Sequence, residues 1–421
     1  MRAGWSGTDV ACVPSRTIVQ KFGGSSLGTQ ELREIAASRV VETKMRGYMP
    51  VVVCSALGRA PDPYATDSLV QLMGPAKAGP NRDLLISCGE TIACALFAEL
   101  LSSWGAPAQA MTGAQAGIFT DENFGDAKVQ SVDPSNVNAF IENGIIPVIT
   151  GFQGVTRDGA TTTLGRGGSD LSAVVMGQAL GSESVEIFTD VSGVMTGDPR
   201  RIAGAQAIDR MNWVEMTELA GHGAKVMHSK GADLARVSNR SYVIKGLRSN
   251  VGTIIDDGTA PDRNKPVTGI TSQRNLAFLR IIQGEIDDPQ ERIALELQIF
   301  QRLAENDVSI DMINVNTAGV FFIVFADSLD IVRRELADLN LAVRVRTHCA
   351  ALSIVGAGMR GTPGVMYRVV SALSGAGVPI IHSTDSNITI SLLVDEEDAT
   401  RAEQAIHDYF KLGRATAEVP S

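Results

Sequence analysis

The chain has 421 residues, 44% hydrophobic and 20% charged, with 5% aromatic, the composition of a globular protein with room for two or three buried cores. Its 37 basic residues stand against 47 acidic ones, for a net charge of −10. That balance argues against nucleic acid and anionic membrane surfaces as partners, since both require basic patches.

Residues 1–16 hold no apolar stretch of the signal-peptide kind and read as a flexible tail. Nowhere do eighteen consecutive apolar residues occur, so no membrane span is expected. Cys12, Cys54, Cys88, Cys94 and Cys349 form no CxxC pair and are odd in number, which predicts free thiols in a reducing cytoplasm. From Thr17 to about Val155 strands and helices alternate. Ile18–Gln20 leads into glycines, Gln30–Arg46 suits a helix and Pro50–Ala56 a buried strand. Cys88–Trp104 reads as a helix and Gly144–Phe152 as a strand; a helix over Leu171–Leu180 then precedes the strand Val185–Thr189. Unbroken apolar runs between helices predict a mostly parallel sheet covered on both faces.

Polar Asp256–Lys265, with Gly and Pro, marks a domain boundary. Beyond it the chain repeats. Ile299–Ile310 resembles Val369–Ile380, aligning Leu303 with Leu373, Val308 with Val378 and Ile310 with Ile380. Strand pairs follow from Gly319 and Asn387, then helices near Leu329–Leu339 and Asp398–Phe410. Two βαββα copies predict a pair of small α/β modules, able to pack sheet against sheet and to form oligomers.

Five segments stand in fixed order: VQKFGGSS from Val19, SCGET from Ser87, TLGRGGSD from Thr163, FTDVSGVMTGDPR from Phe188 and GAKVMHSK from Gly223. Together they suit a pocket for something highly anionic plus something carboxylated. In Lys21-Phe22-Gly23-Gly24-Ser25-Ser26 the glycines either turn backbone N–H groups toward an anion beside the lysine or make a tight turn. A P-loop is excluded, because no GxxxxGK[ST] occurs. Arg166, with glycines on both sides, either grips a carboxylate as a fork or is solvated while Ser169 or Asp170 caps a helix. Thr189-Asp190 ends an apolar strand, where α/β folds bind ligands, and Asp198-Pro199 also suits an ordinary turn. Lys225 is either a second phosphate cation or a solvated lysine. Glu90 is either an ammonium partner or a helix cap. Gly356-Ala357-Gly358-Met359-Arg360-Gly361 fits GxGxxG, but too little chain follows for a dinucleotide domain. The histidines show no metal-ligand spacing with the cysteines, and no metal site is predicted.

In this combination the segments resemble the aspartokinases of the amino-acid kinase family over nearly the whole chain. KFGGSS is similar to the family's KFGGTS, and TTLGRGGSD, FTDV, DPR and GAKV stand in family order. The C-terminal repeat, with VGAGMRGTPGV, resembles tandem ACT domains. GRAPDPYATDSL (Gly58–Leu69) and SCGETI resemble the branch that includes diaminopimelate-inhibited bacterial enzymes.

The resemblance implies an amino-acid-kinase-like three-layer α/β sandwich over 17–258 and two ferredoxin-like ACT domains over 266–346 and 347–421. It implies ATP-dependent, Mg²⁺-assisted phosphorylation of the L-aspartate β-carboxylate, the entry to lysine, threonine and methionine synthesis. Lys21 and Lys225 would steady the phosphates with Phe22, Gly23, Gly24 and Ser25 closing around them, and Asp170 would orient Lys21. Thr189, Asp190, Val194, Asp198 and Arg200 would line the nucleotide side. Arg166 would hold the α-carboxylate, with Ser55, Glu90, Gly168 and Ser169 fixing the rest of the substrate. An effector (lysine, threonine or diaminopimelate) would bind near Asp311, Met312, Ile313, Asn314, Val315, Ser383, Asp385 and Asn387, in a homodimer or homotetramer built through the ACT domains. Departures from the family pattern fall at His228-Ser229-Lys230, at Lys245-Gly246-Leu247 and at Ala93. They leave open a paralogue acting on another amino acid or carboxylate. A non-catalytic amino-acid sensor is the third reading.

Overall fold

The apolar runs form strands, as their unbroken hydrophobicity predicts. Thr17–Phe22, Met49–Cys54, Ile146–Thr150 and Ser184–Thr189 are buried almost throughout. The computed structural model describes residues 16–74, 77–224, 227, 229–257, 262–282, 289–339 and 341–413. They fall into two units: residues up to Ser192 with Asp233–Ile254, and Gly193–Ala232 with the chain from Ile255 onward.

In the first unit the central strands run Tyr242–Gly246, Ser184–Thr189, Thr17–Phe22, Met49–Cys54, Ile146–Thr150, Ala108–Met111, with every neighbouring pair parallel. Alternation sends Phe22 to one face and Lys21 to the other. On the Phe22 face, Gln30–Met45 and Pro80–Ser103 supply Ala36, Val40, Phe97 and Leu101 to a core that includes Val52 and Phe188. Fully buried Phe22 stacks on Phe188 at 4.8 Å, and burial of such a ring stabilises by roughly 2–3 kcal/mol. On the Lys21 face lies the helix Gly168–Ala179, close-packed at Gly177, where a Cβ would stand 2.5 Å from Val185.

Two helix starts differ from the sequence reading. The helix placed at Cys88 begins at Pro80, because proline's fixed φ suits a first turn, and its Asp83 is fully buried. Asp83 Oδ2 accepts from the backbone N–H groups of Gly125 (2.9 Å) and Thr163 (2.7 Å). These bonds tie the helix to a small four-stranded sheet that the sequence reading did not contain. The helix is long and apolar enough to cross a membrane by length and composition, but Ile86, Ala93, Phe97 and Leu101 are buried in the fold. The helix placed at Leu171 starts at Gly168.

In the second unit the repeat does not make two separate sheets. One six-stranded sheet runs Asp311–Asn316, Gly319–Phe325, Gly269–Ile282, Ala342–Val355, Thr389–Asp395, His382–Asp385, with all neighbours antiparallel. Sheet-on-sheet packing of the two modules is thereby corrected. The two long strands are shared. Gly269–Gln273 pairs with Val355–Ala351, whereas Leu276–Ile281 pairs with Gly319–Phe325 as well. The register shifts between Gln273 and Leu276, where Asn275 has φ +59°. The internal repeat holds position by position: Leu303 and Leu373 are each 1% exposed, in separate cores.

The segment Gly193–Ala232, which the sequence reading assigns to the catalytic half, groups with this second unit. Thr196 accepts from Ile270 N–H at 3.0 Å, and its hydroxyl meets His407 Nε2 at 2.9 Å. The GxGxxG segment is a packing device. A Cβ at Gly356 or Gly358 would stand 2.0 Å from the Pro266 carbonyl or 2.4 Å from that of Asp262.

Candidate active site

Parallel strands deliver their C-terminal ends to one edge, with Phe22 beside Cys54 and Cys54 beside Thr150. There the departing loops enclose a cavity of about 540 Å³ lined by Lys21, Ser55, Glu90, Arg166, Gly168, Ser169 and Asp170. Residues from four separate segments of the sequence thus meet in one place. Lys21 is 9% exposed and forms an ion pair with Asp170 at 2.7 Å. Asp170 lies in the first turn of Gly168–Ala179. A buried cation of this kind persists only when a counter-charge offsets its desolvation. Fully buried Tyr242 feels the Asp170 charge, and its phenol's ionisation is pushed far up by burial first and then by Asp170 and Asp233.

Glu90 projects from Pro80–Ser103 and is 1% exposed. Its Oε1 accepts from the Ala56 N–H at 3.0 Å, while Oε2 is buried with no hydrogen-bond partner among the described residues. Burial pushes its pKa up to about 8. At neutral pH the unliganded carboxyl therefore holds its proton, and a cation entering the cavity would draw that proton off. One helical turn away, the Cys94 thiol is pushed well up by burial and by its contact with Cys54.

Arg166 is presented by Gly165 and Gly167, at φ +72° and +75°, backbone conformations that favour glycine. It is exposed at the cavity wall and has no ion-pair partner among the described residues. Gly24 permits a different closeness: a Cβ there would stand 2.6 Å from the Gly58 carbonyl oxygen and 2.7 Å from that of Ala56. The turn Gly23–Ser25 is thus pressed against the loop after Met49–Cys54.

Other predicted residues lie elsewhere. Phe22, Gly23, Gly24 and Ser25 do not line the cavity, and the Phe22 side chain belongs to the core. Thr189 ends its strand with its hydroxyl donating to the Val191 carbonyl at 2.9 Å, and Asp190 meets Arg59 at 3.7 Å. Val194, Asp198 and Arg200 belong to the second unit. There Arg200 donates to both Asp198 oxygens at 2.9 Å, holding that carboxyl below its usual range. Lys225 and His228 lie outside the described residues. In the C-terminal sheet, a cavity of about 500 Å³ is lined by Asn314 but by none of the other predicted effector residues. Buried Met312 offers its carbonyl to His382 Nε2 at 3.2 Å.

Thr66, Asp67, Arg82 and Phe152 also line the first cavity and were missed. Arg82 lay in the helical turn placed eight residues too late; Phe152 carries no sequence signal beyond ending a strand. Two departures from the family pattern have structural roles. Lys245 is ion-paired with buried Glu186, and Leu247 and Ala93 sit in the first unit's core.

Residues 16–246 match the amino acid kinase family and residues 352–410 match an ACT domain. The chain is 36% identical to aspartokinase 1 of Bacillus subtilis, over 95% of this chain and 100% of that one. To the aspartokinase of Corynebacterium glutamicum it is 36% identical, over 94% and 96%. Its fold is similar to that of E. coli aspartokinase III, solved in complex with aspartate and ADP, with a TM-score of 0.73, 23% identity, and coverage of 93% and 99%.

Proposed function

The chain belongs to the amino acid kinase family and within it to the aspartokinases, and on that premise we propose how its residues phosphorylate L-aspartate. One observation carries the reading: a lysine–aspartate pair shares one cavity with a carboxyl oxygen and an arginine fork that have no partner among the described residues. The aspartate β-carboxylate, with an ordinary pKa of about 3.9, is already ionised and attacks the γ-phosphorus of ATP without a general base. The new P–O bond forms as the bond to ADP breaks, and the product is 4-phospho-L-aspartate.

Lys21 supplies charge to the phosphates, and Asp170 holds it in place at 2.7 Å. Arg166 takes the substrate's α-carboxylate as a fork. Glu90 Oε2 accepts from its ammonium group, which supplies the bond the empty protein lacks. Ser55 and Ser169 complete the substrate side. On the nucleotide side of the first unit stand Gly23, Gly24, Thr189 and Asp190. The donor set suits a Mg²⁺ carried by the nucleotide's own phosphates: Asp170 is engaged by Lys21, and among the described residues no three His, Cys, Asp or Glu side chains cluster to hold a metal. Bound there, Mg²⁺ would neutralise charge on the transferring phosphoryl group.

Through the ACT half we infer feedback control by an amino acid of the aspartate pathway, together with self-association. Purified protein should form a hydroxylamine-trappable acyl phosphate from ATP and L-aspartate, faster than from L-glutamate. No trapped product would overturn the reading. A higher kcat/KM for another carboxylate would move it to a different acceptor.

A further inference from the structure

Arg280 and Arg344 stand directly opposite each other on the antiparallel strands Gly269–Ile282 and Ala342–Val355, and both line the second unit's cavity. Opposed residues on a sheet lie about 5 Å apart at Cβ, and like charges so placed are destabilising. Among the described residues neither guanidinium has a hydrogen-bond or ion-pair partner. Nearby Arg346 shows the contrast, since Asp395 accepts from it twice, at 3.0 and 2.5 Å. Arg280 lies over the Phe321 ring at 5.8 Å; Phe321 is its neighbour on the other side and in turn faces Asn314. A single row, Asn314–Phe321–Arg280–Arg344, therefore crosses four strands on one face of the sheet. His382, stacked on Phe278 at 5.2 Å, adds a wall from the second repeat.

A lone pair of opposed, unneutralised arginines beside an amide and two rings has the donors for an anion and lacks the anion's charge. The geometry points to a binding site for a small oxyanion, a carboxylate or phosphate group held by Arg280 and Arg344 together. Each guanidinium offers a planar fork that matches either group, and the bound anion removes the repulsion between them. The regulatory meaning of the site rests on the proposal that the ACT half takes an effector; the binding itself does not. Within that proposal the site favours a ligand that presents an acid group to the sheet.

The test is calorimetric titration of inorganic phosphate and, separately, succinate into the full-length protein in an oxyanion-free buffer. Binding is expected, weakened about tenfold or more by Arg280→Ala or Arg344→Ala and less by Arg344→Lys. Arg166→Ala, which alters the other cavity, should leave this component intact. A response to phosphate alone assigns the site to phosphate groups, and to succinate alone to carboxylates. Unliganded Arg344→Ala should melt no lower than wild type, because one of two repelling charges is gone. Binding of neither probe, or binding unchanged in Arg344→Ala, overturns the proposal. So does loss of self-association in Arg344→Ala without anion binding, which would give the pair to an acidic side chain of a second copy. Arginine-dependent binding with no effector response in the kinase assay would leave the site standing and remove the regulation. Effector inhibition in a protein that binds neither probe would do the reverse.

Discussion

The two cavities are similar in volume, about 540 Å³ in the first unit and 500 Å³ in the second, but they treat charge in opposite ways. In the first, the buried cation Lys21 is already paired with Asp170, and only Arg166 at the wall stands exposed and unpaired among the described residues. In the second, two cations face each other in the open, without a counter-charge among the described residues. A paired, buried charge keeps its geometry whether or not substrate is present, which is what transition-state stabilisation needs. An unpaired exposed set changes its energy when a ligand arrives, which is what a sensing surface needs. On the proposed roles, the group that acts on the phosphates is pre-paired, whereas the groups that take up a ligand, Arg166 in one cavity and Arg280 with Arg344 in the other, are not.

The hardest break in that comparison is Lys21→Ala. It removes the phosphate cation and strands a buried carboxylate, so kcat should fall on the order of 10³-fold, roughly 4 kcal/mol. The melting temperature should fall too, and pairing the change with Asp170→Asn should restore stability but not turnover. If Lys21→Ala retains near-normal kcat, the pair is structural only.

Glu90 is next in size, and its effect has a sign that depends on pH. Its carboxyl is raised from 4.5 to about 8. Between those values the unfolded chain releases the proton while the folded one keeps it, so stability falls as pH rises through that window. Glu90→Gln should therefore raise the melting temperature more at pH 8 than at pH 5, while lowering kcat/KM for aspartate about 10²-fold. In the wild type, KM for aspartate should fall steeply from pH 6 to 8 and level off above, and the variant should lose that slope. A flat wild-type profile would remove Glu90 as the ammonium partner. A smaller effect on stability is expected from Gly24→Ala, besides any on nucleotide binding. Its methyl would meet two carbonyl oxygens closer than 3 Å, for a loss of about 1–3 kcal/mol in denaturant unfolding.

Much of this was legible in the sequence, for identifiable reasons. Parallel strands announce themselves by unbroken apolar runs, and strand ends carry the glycines and charges that singled out Lys21, Arg166 and Asp170; Glu90 stood out as a lone acid among apolar residues, and the family resemblance supplied the roles expected of all four. The repeat was legible because equivalent core positions, Leu303 and Leu373, carry the same residue. Less visible was how the repeats join. Each module looks complete by periodicity, and nothing in Gly269–Ile282 signals that its second half, past the bulge, takes a second partner strand while the whole strand stays paired with Ala342–Val355. Asp83 was hidden for a similar reason: a lone acid near a proline reads as solvated, and only the fold supplies the two N–H groups that hold it. The opposed arginines were invisible too, because cross-strand register is not written in either strand alone.

The finest test of the second cavity is His382, whose ring is half-buried against Phe278 and hydrogen-bonded to the Met312 carbonyl. Burial holds its pKa below 6.5. As pH falls below 6.5 the unfolded chain takes up a proton before the folded one does, so the ring's contribution is full above 6.5 and is lost on acidification. The second unit should therefore lose a small part of its stability between pH 7 and 5, and His382→Gln should flatten that part of the melting profile. A bound oxyanion beside Arg280 and Arg344 would favour the protonated ring and shrink the loss. If phosphate or succinate binds but the acid limb of the profile is the same with and without it, His382 does not face the anion, and the site is confined to the arginine row.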